Sequence, residues 1–180
     1  VSDGTITVTK DITISINNLN DNPPIFTSNS TLEIEENIKT IATITASDAD
    51  GSPLVFSIED DNEIMISSDG ILSFITPADY ETKTSYSTII KVFDGIFSTS
   101  QTVTINVTDA NDNPPVITSS DFTSDENQLS IGVIEATDVD TNTVLTYSIS
   151  GTDAEYMTVD SESGILTFST TPDYETKNIY

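Results

Sequence analysis

Asp109, Asn111, Asp112 and Asn113 crowd into five residues that end on Pro114-Pro115, and Asn18, Asn20, Asp21 and Asn22 repeat the arrangement before Pro23-Pro24. Carboxylates and carboxamides at this density present hard oxygen atoms, which a calcium ion takes six to eight at a time at about 2.3–2.6 Å. The double proline fixes φ and removes amide donors, so each string halts a strand and sets the direction of the next segment. Asp21 and Asp112 are 91 residues apart, a period that predicts tandem domains with a cation-binding joint between them.

Other features return in the same order. Glu36-Asn37 is answered by Glu126-Asn127, Asp48-Ala49-Asp50 by Asp138-Val139-Asp140, and Asp79-Tyr80-Glu81-Thr82-Lys83 by Asp173-Tyr174-Glu175-Thr176-Lys177. The elements that hold these acids must be strands. Leu54, Phe56 and Ile58 alternate as Leu145, Tyr147 and Ile149 do, Leu72 and Phe74 as Leu166 and Phe168, and Val103, Ile105 and Val107 as Ile12, Ile14 and Ile16; a period of two is a strand with one buried face. The expected organisation is the last strand of a preceding repeat (1–17), a linker (18–22), a complete repeat (23–108), a second linker (109–113), and a following repeat (114–180) that stops before its last strands. About seven short Thr/Ile/Val/Ser-rich strands per repeat predict an all-β fold of tandem antiparallel Greek-key β-sandwiches, immunoglobulin-like, with very little helix.

Composition narrows the function. The 180 residues carry 30 Asp+Glu against 5 Lys+Arg, a formal net charge of −25, which repels nucleic acid and anionic membrane surfaces. With no cysteine and no histidine there is no thiol or imidazole nucleophile, no Cys/His zinc site and no disulfide. Hydrophobic residues make up 36% of the chain in short alternating runs, which argues for packed sheets over a solvated polyanion. No run is long enough to insert directly into a membrane, and the opening Val1-Ser2-Asp3-Gly4 is no signal peptide, so the sequence reads as an internal excerpt of a longer chain.

Rival chemistry fits less well. An EF-hand loop starting at Asp48 needs glycine at its sixth position, where Pro53 stands, and Thr143 occupies the matching place in the second copy. Asp79 and Glu81 are a carboxylate pair, but residues two apart on an extended segment are neighbours at a metal. Their recurrence as Asp173 and Glu175 suits serial joints better than serial glycosidase sites. The chain reads as non-enzymatic. It has no tryptophan, the usual face of a sugar platform, which counts against a lectin.

Taken together, these motifs resemble the cadherin repeat family. The linker 109–113 is similar to its DxNDNxP string, Glu36 to its early Glu, Asp48/Asp50 to its DxD, Asp79/Glu81 to its DxE, and Asp94 in Val92-Phe93-Asp94-Gly95 to its late Asp. The resemblance covers essentially the whole chain. It implies Ca²⁺ bound by Glu36, Asp79 and Glu81 from one repeat, by Asp109, Asp112 and the Ala110 carbonyl from the linker, and by Asn111, Asn113, Asp138 and Asp140 at the far side, with the Asn142 carbonyl as a further ligand. It also implies extracellular, cell-surface repeats that serve calcium-dependent adhesion or act as a rigid spacer, with a homophilic or heterophilic surface protein or a glycan as partner. The alternative is a carbohydrate- or matrix-binding module of a bacterial surface or secreted protein, towards which the short Gly51-Ser52-Pro53 loop and the sparse Lys/Arg point.

The two linkers depart from that pattern unequally. Asn18 replaces the opening Asp of the first, leaving Asn20, Asn22, Asp48, Asp50 and Asp94 as ligands for about one ion. At the second, seven carboxylates are expected to converge, and each like pair at about 4 Å costs roughly 1 kcal/mol in water, which cations must offset. The counterpart of Asp94 for this linker would fall near position 185, so its far site is expected to be weaker. Glu126, Asp173 and Glu175 form half of a further joint, and the missing last strands leave sheet edges open to another chain.

Overall fold

Short alternating runs separated by Asp, Gly and Pro leave the chain only antiparallel pairing as a way to bury its apolar face. The computed structural model describes residues 1–59 and 61–180 and divides them into two compact units. The first comprises Val1–Ile34, Ile38–Pro77 and Ser85–Asn106, the second Glu35–Asn37, Ala78–Thr84 and Val107–Tyr180. The division does not follow the linear repeat boundaries: Glu35–Asn37 and Ala78–Thr84, which carry Glu36, Asp79 and Glu81, pack with the second linker and the repeat after it.

The first unit holds two main sheets. Val55–Ile58 (β5) pairs with Ser85–Phe93 (β8), which pairs over its whole length with Ser98–Thr108 (β9), and Thr31–Glu35 (β2) flanks β9, giving the order β2-β9-β8-β5. Opposite them, Ile71–Phe74 (β7) lies between Thr40–Thr43 (β3) and Ile64–Ile66 (β6). Ile25–Phe26 (β1) pairs with Ala46–Ser47 (β4). Only Ile44 and Thr45 separate β3 from β4, and β1 leads into β2 within four residues, so these nine pieces trace seven strand runs. Ile44, Leu72, Phe74, Ile90, Val92, Val103 and Ile105 are all essentially inaccessible to water, and each such side chain contributes about 1.5–3 kcal/mol relative to exposure.

The second unit rebuilds part of this plan. Val116–Ile117 (β10) pairs with Ala136–Thr137 (β12), and Ile165–Phe168 (β14) lies between Ser130–Val133 (β11) and Met157–Val159 (β13). The register slip between Ser130 and Gly132 repeats the one between Thr40 and Ala42. A 3-10 turn at Ala154–Tyr156 is the only helical segment among the described residues. One backbone requirement recurs as well. Gly70 has φ 88° with the Ile44 carbonyl 2.3 Å from where a Cβ would stand, and Gly164 has φ 70° with the Ile134 carbonyl at 2.4 Å, so both turns exclude any side chain.

Two expected strands are absent. Ile12, Ile14 and Ile16 alternate as predicted, yet residues 8–24 form no strand, and these three side chains are 80%, 83% and 93% exposed. A strand exists only with a ladder partner, and none among the described residues lies beside this one. Likewise 145–149 forms no strand, although its counterpart is β5. There β8 supplies the partner, and among the described residues no strand comes after β14 in the second unit.

Candidate metal centre

Acids at the linkers are held by backbone amides, which leaves one oxygen each of Asp48, Asp94 and Asp138 without a hydrogen-bond partner. At the first linker, Asp50 Oδ2 accepts the amides of Asn22 (2.8 Å) and Asp21 (3.0 Å), while Asn22 Nδ2 donates to Asp50 Oδ1 at 3.0 Å. The Asn22 amide, above all, holds the Asp50 carboxyl below the usual range. Asp48 Oδ1 accepts the Asp50 amide at 2.9 Å and the Ser52 amide at 3.1 Å. Asp94 sits in the turn from β8 to β9 and is 5% exposed. Its Oδ1 accepts the amides of Ile96 (2.7 Å) and Phe97 (2.6 Å). Burial works to raise the Asp94 pKa, but these two amides outweigh it and the carboxyl is held low.

Asn20 completes this cluster. Its Nδ2 donates to the Asp94 carbonyl at 3.2 Å. Asn20 Oδ1, Asp48 Oδ2 and Asp94 Oδ2 are then buried oxygens without any hydrogen-bond partner. Such atoms cost free energy unless a donor, a water or a cation satisfies them, and a converging set of anionic and amide oxygens suits a cation. The residues therefore fit the calcium ion implied by the family resemblance.

The second linker repeats this cradle. Asn113 donates its amide to Asp140 Oδ2 (2.9 Å) and its Nδ2 to Asp140 Oδ1 (2.8 Å), and the Asp140 amide donates to Asp138 Oδ1 at 3.0 Å, leaving Asp138 Oδ2 buried and unpartnered. Upstream acids join it within the same compact unit. Glu36, at the end of β2, is 2% exposed; its Oε2 accepts the Tyr80 amide at 2.7 Å and its Oε1 the Ala110 amide at 2.9 Å. Oxygens of Glu36, Asp79 and Glu81 lie within 4.8 Å of one another, and so do oxygens of Glu81, Asp112 and Asp140. Glu81 thus belongs to both groups. Removal from water, followed by the negative charges of Glu36 and Asp109, pushes the Glu81 carboxyl up. Asp109 is held low, chiefly by the Thr141 hydroxyl and also by the Thr141 amide, and its Oδ1 is buried without a partner.

Fourteen of the fifteen residues expected at the sites fall into these two cradles. Asn111 is the exception: it is exposed, whereas its counterpart Asn20 is half-buried against Asp94. Of Ala110 the structure engages the amide, on Glu36. Two contributors escaped the sequence reading. Asn37, at φ 63°, donates from Nδ2 to Asp112 Oδ2 at 2.6 Å, and Thr141 anchors Asp109. The repeated Glu-Asn pair was the available signal for the first, since Asn127 has φ 61° and asparagine tolerates the left-handed region better than most residues. Nothing in the repeat marked Thr141. The third group, Glu126, Asp173 and Glu175, also brings its oxygens within 4.8 Å, with Glu126 Oε2 accepting the Tyr174 amide at 3.2 Å as Glu36 accepts that of Tyr80.

No family model matches the chain. Human Protocadherin Fat 1 is 30% identical over 94% of the chain, and chicken Cadherin-7 is 30% identical over 98% of it. The chain spans 4% and 27% of the lengths of these two curated relatives. Among solved structures, mouse Cadherin-23 EC22-24 superposes with a TM-score of 0.66 at 29% identity, over 87% of this chain and 57% of that one. Human Protocadherin-24 EC1-2 superposes with a TM-score of 0.73 at 22% identity, over 88% and 82% of the two chains, a likeness of fold. The carbohydrate-binding alternative gains no support from these relatives.

Proposed function

This chain is built of cadherin repeats, and from that premise we propose that it is an extracellular adhesion or spacer segment whose linkers, 18–22 and 109–113, bind Ca²⁺. The observation that carries the reading is the set of buried oxygens left without a partner at both linkers: Asn20 Oδ1, Asp48 Oδ2 and Asp94 Oδ2 at the first, Asp109 Oδ1 and Asp138 Oδ2 at the second. Polar atoms in folded proteins are rarely buried unpaired, and five of the seven such atoms among the described residues are oxygens of the two linker strings, the two DxD pairs and Asp94, the donor type that calcium takes.

Bound calcium would supply positive charge and shared coordination to oxygens that otherwise repel one another. Glu36, Asp79, Glu81, Asp109 and Asp112, with Asp138 and Asp140, would hold it at the second linker, and Asn20, Asn22, Asp48, Asp50 and Asp94 at the first. The protein's own part is orientation. Amides of Asn22, Asn113, Tyr80 and Ala110 hold the carboxylates in place, and the ion would add the bridge between segments that their like charges otherwise oppose.

Because the ligands come from segments far apart in sequence, binding and linker rigidity are one event. The reading is tested by small-angle scattering of the chain in calcium and in EDTA. It expects a longer, narrower distance distribution in calcium, with the far-ultraviolet dichroism of the sheets unchanged. Superimposable scattering profiles would refute it.

A further inference from the structure

We propose that Thr141 is a positioning residue that sets the calcium affinity of the second linker by clasping Asp109, an inference that rests on the calcium reading of that linker. Asp109 opens the linker string, and Thr141 follows the Asp138-Val139-Asp140 motif 32 positions later. The Thr141 amide and the Thr141 hydroxyl both donate to Asp109 Oδ2. Asp109 Oδ1 is left buried without a partner. One oxygen of the carboxylate is thus committed to protein donors, and the other remains for an ion.

The backbone explains why this clasp belongs to one linker. After Asp48-Ala49-Asp50 comes Gly51, which has φ 73° and donates its amide to the Asp48 carbonyl at 3.3 Å, closing a tight turn. Thr141 stands in the matching place, and a β-branched residue avoids the left-handed region. The positive φ falls instead on Asn142, at 60°, and the Thr141 amide goes to Asp109. The linker residues differ to match. Asn18, where Asp109 would be, donates from Nδ2 to the Asp50 carbonyl at 2.8 Å. A carboxylate has no hydrogen to offer that carbonyl, and Gly51 has no hydroxyl to offer a carboxylate. Asn18 with Gly51 and Asp109 with Thr141 are therefore two fastenings of the same linker position, of which only the second holds a charged ligand.

The fastening matters to an ion because the second linker is crowded with like charge. Oxygens of Glu81, Asp112 and Asp140 lie within 4.8 Å of one another, and a free Asp109 side chain would lower the repulsion by turning out to water. Two charge-assisted hydrogen bonds on Oδ2 oppose that rotation. Groups that orient a metal ligand in this way, without touching the metal, change its affinity about 10–100-fold when they are removed.

Calcium titration calorimetry of the 180-residue chain and its variants tests this, read on the part of the heat that Glu36→Gln abolishes. Thr141→Val keeps the amide and deletes the hydroxyl, and affinity at the second linker should fall about tenfold while the first is unchanged. Thr141→Ser should bind as the wild type does. In an Asp109→Ala background Thr141→Val should cost nothing further, because the hydroxyl then has no carboxylate to hold; a merely structural Thr141 would give the same loss in both backgrounds. Thr141 is exposed, so the dichroism of each Thr141 variant in EDTA should match that of the wild type. Unchanged or tighter binding by Thr141→Val, a Thr141→Ser loss as large as that of Thr141→Val, or losses that add to Asp109→Ala would overturn the proposal and leave the calcium reading standing. A wild-type chain with no saturable calcium heat would overturn both.

Discussion

Asn20 and Asp94 lie 74 positions apart in the chain, yet the Asn20 carboxamide donates to the Asp94 carbonyl at 3.2 Å, and each residue keeps one buried oxygen with no protein partner. The contact ties the first linker to the turn between β8 and β9. At the second linker Asn111, which stands where Asn20 does, is exposed, and the oxygens brought together there are those of Glu36, Asp79, Glu81, Asp112 and Asp140, so the two linkers gather different residues.

Asp94→Asn should separate them. The substitution keeps the shape of the side chain and removes its charge, so calcium affinity at the first linker should fall at least tenfold, about 1.4 kcal/mol, while the second linker is unaffected. Terbium luminescence, compared with the same titration of Asp138→Asn, would distinguish the two. Equal losses at both linkers from Asp94→Asn would show that the cradles are not independent.

Glu36→Ala strips the acceptor from two amides at once, those of Tyr80 and Ala110. An unsatisfied buried donor costs about 1–3 kcal/mol, so the variant should unfold earlier in denaturant even in EDTA. Glu36→Gln keeps one amide acceptor and should recover part of that loss without recovering calcium affinity. Urea melts of the three proteins in EDTA, followed by calcium titration, make the comparison.

Acidification should act oppositely with and without the ion. Burial, aided by Glu36 and Asp109, raises the Glu81 pKa. A raised carboxyl favours the folded state when protonated, so in EDTA its contribution is present below the ordinary glutamate value and lost as pH rises through the raised one. In calcium the ionised form is required, so affinity should begin to fall at a pH above the ordinary glutamate range. Denaturant midpoints in EDTA and calcium titrations over the same pH series check both signs, and Glu81→Gln should flatten both responses.

Gly70→Ala should destabilise the first unit, because its φ of 88° and the Ile44 carbonyl 2.3 Å from the new Cβ leave no room. Strain of this kind costs about 1–3 kcal/mol. Gly51→Ala is the comparison: its φ of 73° carries similar backbone strain, but nothing lies within 4 Å of its Cβ position. Thermal melts of both variants should rank Gly70→Ala below Gly51→Ala.

Much of this was legible in the residues. The period of two at Phe56, Leu72 and Val103 located β5, β7 and β9, because burial selects side-chain type at fixed spacing, and the repeated acids named the side chains whose oxygens the structure brings near one another. Pairing was not legible, because alternation at Ile12–Ile16 and Leu145–Ile149 states which face wants burial and says nothing of whether a partner strand is present. Nor did the sequence announce that Asn22 and Asn113 would clamp Asp50 and Asp140 through their backbone amides. Those bonds depend on the loop's path, which any residue type could have followed.

Titration calorimetry with calcium tests the central claim most directly. The account predicts saturable heat in the submillimolar to millimolar range typical of extracellular calcium modules. One part of it should vanish in Asp94→Asn and a separate part in Glu36→Gln, with magnesium giving neither. No saturable calcium heat in that range, or heat that both variants retain in full, would contradict the account.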